Sequence, residues 1–412
     1  MSNSRSAVPL AGNRIASLDV LRGFAVLGIL VINIQTFSMP EAAYLNPTLW
    51  GDLTGINLAT WHLSHLLADT KFITIFSMLF GAGICLFADR VKAFGGNAAA
   101  LHYRRMFWLL IFGLAHAYLL WIGDILVPYA LSGCLVFLLR KSSPRTLAII
   151  GLGVFSVSTL LFLFIGFAAL GDYLPPEIAT DLQSDWWEPS EAKRRYEVEA
   201  YLGSWLKQQP FRVAVALNFH FVAFPLLLLW RCAGMMLLGM ALYRWGVLNA
   251  ERNDRFYRKL ALAGIFGGSV SILIGTWLDF STGWSWPNSI AFWSQFNYWG
   301  GVAMALGYIG LVMLAIRRGW LAGLQTRLAA VGRMAFTNYI AQTLICTTIF
   351  YGHGLGLFGS AERWQQVLIV VAVWAVELWW SPIWLRHFRY GPLEWLWRAL
   401  TYGRLPHRAE ST

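Results

Sequence analysis

Charged side chains are scarce in this sequence. Asp, Glu, Lys and Arg make up 13% of the 412 residues, whereas 57% are hydrophobic and the mean hydropathy is +0.54. A soluble globule of this length needs a more polar surface, so these proportions exclude an ordinary soluble protein. They are typical of an all-α, polytopic integral membrane protein, whose expected partner is the lipid bilayer.

Cysteine is also rare, and it follows no pattern. The four cysteines (Cys85, Cys134, Cys232 and Cys346) stand in apolar stretches at unrelated spacings. Such spacing indicates neither a disulfide framework nor a metal site, so no metal is expected. The sequence also lacks a nucleophile elbow, a phosphate-binding glycine loop and an HExxH helix, which argues against a nucleotide-driven transporter.

Long apolar runs are abundant instead. Runs of about 20 residues, the length that crosses about 30 Å of hydrocarbon, predict ten membrane-spanning helices. Their expected limits are 19–38, 70–89, 106–122, 124–139, 147–169, 213–243, 260–278, 297–316, 334–351 and 365–385. The first run has no small-residue cleavage signal, which predicts a retained helix rather than a secretory leader.

Two runs depart from the simple pattern. The run 213–243 is long and contains Pro225, which predicts a kinked helix or a helix followed by a re-entrant piece. Segment 56–68 is less apolar, because His62 and His65 interrupt it. It predicts a short interfacial or partly inserted helix ahead of the second span.

Basic residues set the expected orientation. With the N-terminus inside, 23 Lys and Arg residues fall in the inner segments and seven in the outer ones. This bias predicts cytoplasmic N- and C-termini in a bacterial inner (cell) membrane. The net charge of +11 is thereby explained without a nucleic-acid partner. Residues 1–412 are expected to form one transmembrane helical domain, with 170–212 as an extracytoplasmic loop or lid carrying an amphipathic helix near 188–206.

Polar residues at membrane depth are functional candidates, because each is costly there unless it is paired or hydrated. Asp19 and Arg22 lie one turn apart on one face of the first helix. They form either a topogenic charge pair or an anchor for the phosphates of a cytoplasmic cofactor. Asn33 lies about three turns further along nearly the same face. For Arg231 and Glu377, the conservative interpretation is a reciprocal ion pair.

Histidines supply the candidate bases, because their ordinary pKa lies nearest neutral pH. His62 and His65 are three residues apart and share one helical face, either as a base or as an interfacial pair. His116 and Asp124 bracket a tight turn between two short spans. An aspartate that orients a histidine is a catalytic arrangement, but a structural hydrogen bond between helices uses the same residues.

Five segments together resemble the YeiB family of bacterial inner-membrane proteins, over nearly the whole chain. They are SLDVLRGFAVLGILVIN at 17–33, KFITIFSMLFG at 71–81, GD at 123–124, GRMAFTNYIAQ at 332–342 and YGPLEWLWRALTY at 390–402. The first segment also resembles heparan-alpha-glucosaminide N-acetyltransferase and, more distantly, the bacterial membrane O-acyltransferases. Arg22 matches the arginine of the O-acyltransferases, but Asn33 stands where they carry histidine. The glucosaminide enzyme has Asn there and takes its histidine from a region similar to that of His62 and His65.

The resemblance implies a transmembrane acyltransferase-like bundle. Acyl-CoA, such as acetyl-CoA, is the implied donor, and the acceptor is a small molecule on the periplasmic side, a sugar or another envelope metabolite. The residues expected to hold the donor are Asp19, Arg22, Arg104, Arg105 and Arg333. The residues expected in catalysis are His62, His65 or His116 as base, Asp124 as its orienting group and Asn33 as a hydrogen-bond donor to the carbonyl oxygen.

Two other functions stay open at this point. A transporter or exporter of a small metabolite would use the same buried charges as a substrate or proton path. A non-catalytic membrane scaffold is the third, although many polar groups at depth argue against it. The acetyltransferase resemblance also implies a homodimer.

Overall fold

The structure is a computed structural model, and it describes residues 15–403. Within that range every regular element is helical. The first nine α-helices are α1 (Ala16–Ser38), α2 (Ala42–Leu45), α3 (Gly55–Leu67), α4 (Lys71–Ala93), α5 (Ala98–Ala115), α6 (Leu126–Val136), α7 (Pro144–Leu170), α8 (Pro176–Asp181) and α9 (Glu191–Leu202). The other eight are α10 (Trp205–Asn218), α11 (Leu229–Arg244), α12 (Asp254–Ser281), α13 (Ser294–Arg317), α14 (Ala322–Arg333), α15 (Ala335–Phe350), α16 (Arg363–His387) and α17 (Pro392–Tyr402).

Seven helical stretches of the described chain are long and apolar enough to cross a membrane. They are Ala16–Ser38, Gly55–Ala93, Pro144–Leu170, Trp205–Arg244, Asp254–Ser281, Ser289–Arg317 and Arg363–His387. Each contains one of the predicted spans, so an all-helical chain with several candidate membrane-spanning helices is confirmed. The other three predicted spans overlap α5, α6 and α15, which do not meet both conditions.

The long run around Pro225 is one continuous helical stretch. A π-helical segment, Phe219–Leu228, joins α10 to α11 and contains the proline. Proline has no amide hydrogen and its ring crowds the preceding turn, so a wider turn keeps the chain helical where regular α-geometry fails. The chain is helical throughout 205–244, so the predicted alternative of a single helix is found and the re-entrant piece is not.

The two short helices predicted outside the main spans are also present. Segment 56–68 forms α3, which leads into α4 through a sharp turn at Thr70. Within 170–212 the chain forms α8 and α9, and α9 begins where the Ser190 side chain accepts a hydrogen bond from the Lys193 amide. This serine cap satisfies one of the amides that a helix start leaves free.

Close helix crossings hold the bundle together. At the crossing of α4 and α11, a Cβ on Gly81 would lie 1.9 Å from the Met236 carbonyl oxygen, and a Cβ on Gly239 would lie 1.9 Å from that of Met78. The two backbones therefore touch, and glycine is required at both positions.

The bundle has two ends, which we name by residues. The Arg22 end contains the start of α1. The Arg363 end contains the finish of α1, where the Gly359 amide donates to the Ser38 carbonyl oxygen over 2.8 Å.

Candidate functional site

His116 and Asp124 meet inside the bundle. Helix α5 ends at Ala115, a π-helical turn (His116–Leu120) follows, and α6 returns from Leu126. This short hairpin brings His116 Nδ1 to 2.8 Å from Asp124 Oδ1, while Asp124 Oδ2 accepts the Val127 amide over 2.7 Å. Both side chains are almost wholly buried. The pairing anticipated from the sequence is therefore present.

A third residue completes the arrangement. His116 Nε2 lies 2.9 Å from Thr343 Oγ1 on α15, and the ring of Tyr339, one turn earlier, lies 5.1 Å from the imidazole. A carboxylate only accepts hydrogen bonds, so a proton on Nδ1 faces Asp124 and leaves Nε2 to accept from a hydroxyl. An imidazole held in this tautomer can take a proton from a hydroxyl group.

Sequence reasoning missed Thr343 and also His220. Tyr118 Oη lies 3.3 Å from His220 Nδ1, His220 Nε2 is buried without a hydrogen-bond partner, and the charge of Asp124 acts on this imidazole. The signal for His220 was its place in a long apolar run just before Pro225. Thr343 gave a weaker signal, since threonine is common in membrane helices.

His65 belongs to a separate network. Its Nδ1 lies 3.2 Å from Asp69 Oδ2, which also accepts from Asn297 over 2.7 Å. Lys71 in turn donates to the Asn297 side-chain oxygen over 2.8 Å, and Tyr44 donates to the second Asp69 oxygen over 3.0 Å. Each charged group here has a polar partner, so the network fixes α3, α4 and α13 together.

His62 has no carboxylate partner among the described contacts. Its ring packs against Trp61 and Phe280, with centroids 5.1 and 5.2 Å away. Although His62 and His65 share a helical face, only His65 has an orienting acid. Residues 15–403 contain no group of three or more His, Cys, Asp or Glu side chains placed to hold a metal ion.

The predicted ion pair between Arg231 and Glu377 is wrong. Arg231 donates to the Thr70 carbonyl oxygen over 3.2 Å and lies 5.1 Å above the Tyr298 ring. The reason is position in the bundle. Helix α11, which carries Arg231, packs on α4 and α7, whereas α16, which carries Glu377, packs on α14, α1 and α3.

Glu377 is paired with an amide instead. Gln342 Nε2 donates to Glu377 Oε2 over 3.0 Å, and one turn earlier on α15 Asn338 donates to Ser381 over 3.1 Å. Polar side chains at this spacing link α15 to α16 through the apolar interior. Glu377 Oε1 is buried and has no hydrogen-bond partner.

The Arg22 end contains the predicted charge pair. Arg22 Nη1 donates to Asp19 Oδ1 over 2.8 Å. Helix α14 crosses α1 at this level. A Cβ on Gly332 would lie 1.9 Å from the Asp19 carbonyl oxygen, so the two backbones touch. This contact places Arg333, whose Nη2 donates to the Arg389 carbonyl oxygen over 3.3 Å, beside the first turn of α1.

Helices α5 and α17 add further cations to this end. Trp397 Nε1 donates to the Arg105 carbonyl oxygen over 2.9 Å, and the Arg105 guanidinium lies 4.4 Å from the Trp397 ring. The positive charges of Arg398 and Arg22 act on Arg105. Arg104 is exposed next to Gly403. We call Arg22, Arg105, Arg333 and Arg398 the basic cluster; sequence reasoning missed Arg398.

No described contact links Asn33 to His116 or to His65. Its side chain is half-buried, and its carbonyl oxygen accepts from Thr36 Oγ1 over 3.0 Å. The structure therefore places most of the anticipated residues in three separate groups: His116 with Asp124, His65 with Asp69, and Asp19 with the arginines at the Arg22 end. Asn33 and His62 belong to none of these groups.

Comparisons with known proteins give a consistent family relation. Residues 242–404 match the family described as "Protein of unknown function (DUF418)". The chain is 34% identical over 389 residues to the uncharacterized protein YeiB of Escherichia coli strain K12, covering 94% of this chain and 96% of that protein. It is 31% identical over 417 residues to the uncharacterized protein YxaH of Bacillus subtilis strain 168, covering 95% of each chain. An uncharacterized 39.9 kDa protein from Bacillus acidopullulyticus is 26% identical over 392 residues, covering 95% of this chain and 94% of that one.

Proposed function

The chain belongs to the YeiB family, and from that premise we propose that it is a membrane-embedded acyltransferase, which moves an acyl group from cytoplasmic acyl-CoA to an acceptor on the periplasmic side. The observation that carries the proposal is the buried contact of His116 with Asp124 on one ring nitrogen and with a hydroxyl on the other. A base of this form is suited to activating a hydroxyl or amine.

The proposed membrane arrangement has ten spans. Helices α5, α6 and α15 would be the three additional ones. Both termini would lie in the cytoplasm of a bacterium, with the Arg22 end inside and the Arg363 end outside. The homodimer implied by the resemblance stays a prediction.

The basic cluster would hold the phosphates of acyl-CoA. Guanidinium groups bind phosphate oxygens through paired hydrogen bonds, and several together offset the multiple negative charges of CoA. Asp19 would orient Arg22, as its 2.8 Å hydrogen bond allows. Exposed Arg104 would add a further cation at the rim.

The thioester would reach His116 along α5. Arg105 and His116 are eleven residues apart, which corresponds to about 16 Å along the helical stretch. Nε2 of His116 would take the proton of the acceptor hydroxyl or amine in place of Thr343. The acceptor atom would then bond to the thioester carbonyl carbon, the carbon–sulfur bond would break, and His116 would return the proton to the CoA sulfur. Asn33 would donate to the carbonyl oxygen as negative charge develops there.

The test is titration of acetyl-CoA and longer acyl-CoAs into the detergent-purified protein. We expect saturable binding that weakens about tenfold or more in Arg22→Ala and Arg105→Ala, because each removes a charged contact with a phosphate. Binding should persist in His116→Ala and in Arg317→Ala, the matched control at the same end, whose guanidinium is already paired with Asp254 at 2.8 Å. Absence of saturable binding by the unaltered protein would remove the proposal.

Glu377 favours the competing proposal, a small-metabolite transporter. A buried carboxyl oxygen without a partner in the middle of a membrane helix is the kind of group that carries protons in such proteins. For this function we expect no acyl-CoA binding. In proteoliposomes we expect a pH gradient to drive flux of the transported metabolite, and Glu377→Gln should abolish that flux. Acyl-CoA titration therefore separates the two proposals before any substrate is known.

A further inference from the structure

Arg212 is a buried cation without a hydrogen-bond partner. It lies on α10, its side chain is fully buried, and none of its three guanidinium nitrogens makes a hydrogen bond. A guanidinium carries five N–H donors, and burying it unpaired costs several kcal/mol. An arginine in this state is a strong indication of a missing acceptor.

The groups around Arg212 are also incomplete. Tyr201 and Tyr351 are both buried, their ring centroids are 4.7 Å apart, and neither hydroxyl makes a hydrogen bond of ordinary geometry. Both phenol groups lie close enough to act on Arg212. Gln208, one turn before Arg212, has its side-chain oxygen unpartnered as well. Unused donors therefore outnumber unused acceptors at this point in the bundle.

The backbone around these groups is fixed. Gln208 Nε2 donates to the carbonyl oxygens of Tyr201 and Gly203 over 2.9 and 2.8 Å. The Gly352 amide donates to the Tyr201 carbonyl oxygen over 2.9 Å, and a Cβ on Gly352 would lie 1.8 Å from the Leu202 carbonyl oxygen. The end of α9 is thereby locked over α10 and the segment after α15. These backbone contacts are made by the protein alone and hold Arg212 and the two tyrosines in place.

Charge balance decides which ligand fits. The groups that act on Arg212 are the phenols of Tyr351 and Tyr201, and no carboxylate of the described chain is paired with it. Glu197 lies close enough to act on both tyrosines, and His353 Nδ1 lies 3.5 Å from Gln208 Nε2. One guanidinium offsets one negative charge, whereas a dianion would leave one negative charge buried without a cation to offset it. A monoanion therefore matches best.

We propose that Arg212, together with the hydroxyls of Tyr201 and Tyr351, binds a monoanionic oxyanion group at the Arg363 end. A carboxylate can accept two parallel hydrogen bonds from the guanidinium and one from each phenol. The phosphodiester of a lipid headgroup offers the same chemistry. The aromatic rings of Tyr201, Tyr351 and Phe358 pack together here and would contact an apolar or aromatic ligand body. This site is independent of acyl transfer and of acyl-CoA.

The test has two arms on the full-length, detergent-purified protein. The first measures thermal unfolding with increasing sodium benzoate or sodium acetate, against sodium chloride at equal ionic strength. The second measures phospholipid retained through purification by native mass spectrometry. The variants are Arg212→Met, which removes the charge, and Tyr351→Phe, which removes one hydroxyl at nearly constant shape. Arg195→Met, on the exposed surface of α9, is the control.

We expect one arm to respond. Saturable stabilisation by carboxylate in the unaltered protein and in Arg195→Met, lost or weakened about tenfold or more in Arg212→Met and reduced in Tyr351→Phe, would identify a water-soluble ligand. A phospholipid retained one to one in the same two proteins and absent from Arg212→Met would identify the lipid headgroup. The proposal is overturned if neither carboxylate response nor lipid retention depends on Arg212 or on Tyr351. Acyl-CoA binding is unaffected by any of these outcomes.

Discussion

Two buried arginines with opposite surroundings allow a matched stability experiment. Arg363, at the start of α16, is 3% exposed and donates to the carbonyl oxygens of Asp52, Pro47 and Trp50 over 2.9, 2.9 and 3.1 Å. It thereby anchors segment 46–52 to the bundle. Arg212 is equally buried and has no partner.

The same substitution should therefore change stability in opposite directions. Arg363→Met leaves three carbonyl groups unpaired and releases segment 46–52, and we expect the free energy of unfolding to fall by about 3–5 kcal/mol. Arg212→Met replaces an unpaired charge with an apolar side chain of similar length. In the ligand-free protein we expect the free energy of unfolding to rise by about 1–4 kcal/mol, because the desolvation cost of the charge disappears.

The assay is reversible denaturation in mixed micelles, followed by tryptophan fluorescence and circular dichroism. Limited proteolysis within 46–52 serves as a local readout, and cleavage should accelerate in Arg363→Met alone. Equal destabilisation by the two substitutions, or a loss in Arg212→Met after exhaustive removal of ligand, would refute the reasoning. That result would mean that Arg212 has protein acceptors in solution.

Three further predictions concern a crossing, a cap and a titration. Gly332→Ala should destabilise the protein by at least about 2 kcal/mol, since its Cβ would meet a carbonyl oxygen at 1.9 Å, whereas Gly267→Ala on α12 meets open space and should be neutral or stabilising; chemical denaturation compares them. Glu394→Ala should cost about 1–2 kcal/mol in the same assay, because Glu394 accepts the amides of Phe336 and Thr337 at the start of α15; equal stability would contradict a capping role. Burial, with the charge of Glu41 adding to it, raises the pKa of Glu197 from 4.5 to about 8. The folded state then binds this proton more tightly, so stability should fall as pH rises from 4.5 to about 8, and melting temperatures of Glu197→Gln should lack that part of the decline.

Much of the candidate site was already accessible from local sequence. Asp19 and Arg22 are three residues apart on one helix, and His116 and Asp124 flank a turn too short to separate them. Local geometry alone brings such pairs together, because a helical turn and a tight hairpin leave few alternatives. The same reasoning identified His65 but not Asn297, which approaches Asp69 from a helix more than 200 residues later.

The error over Arg231 and Glu377 has the same origin. Opposite charges at depth need partners, and the sequence places Arg231 and Glu377 inside predicted spans, but it does not state which helices are neighbours. Arg231 found a carbonyl oxygen of the turn before α4, and Glu377 found an amide on α15. A charged side chain within the membrane can be satisfied by any suitable hydrogen-bond donor or acceptor. Charge complementarity alone is therefore a weak guide to which residues are in contact.

The sequence by itself determined the class of the protein and the positions of its apolar helices, because the free energy of placing a segment in lipid depends on the length and composition of that segment. Only the tertiary structure decided that Thr343 faces His116, that α17 brings Arg398 to Arg105, and that Arg212 is enclosed with two tyrosines. Those contacts depend on how each helix is rotated and which helix lies beside it. Such choices result from packing summed over the whole bundle, not from any one segment.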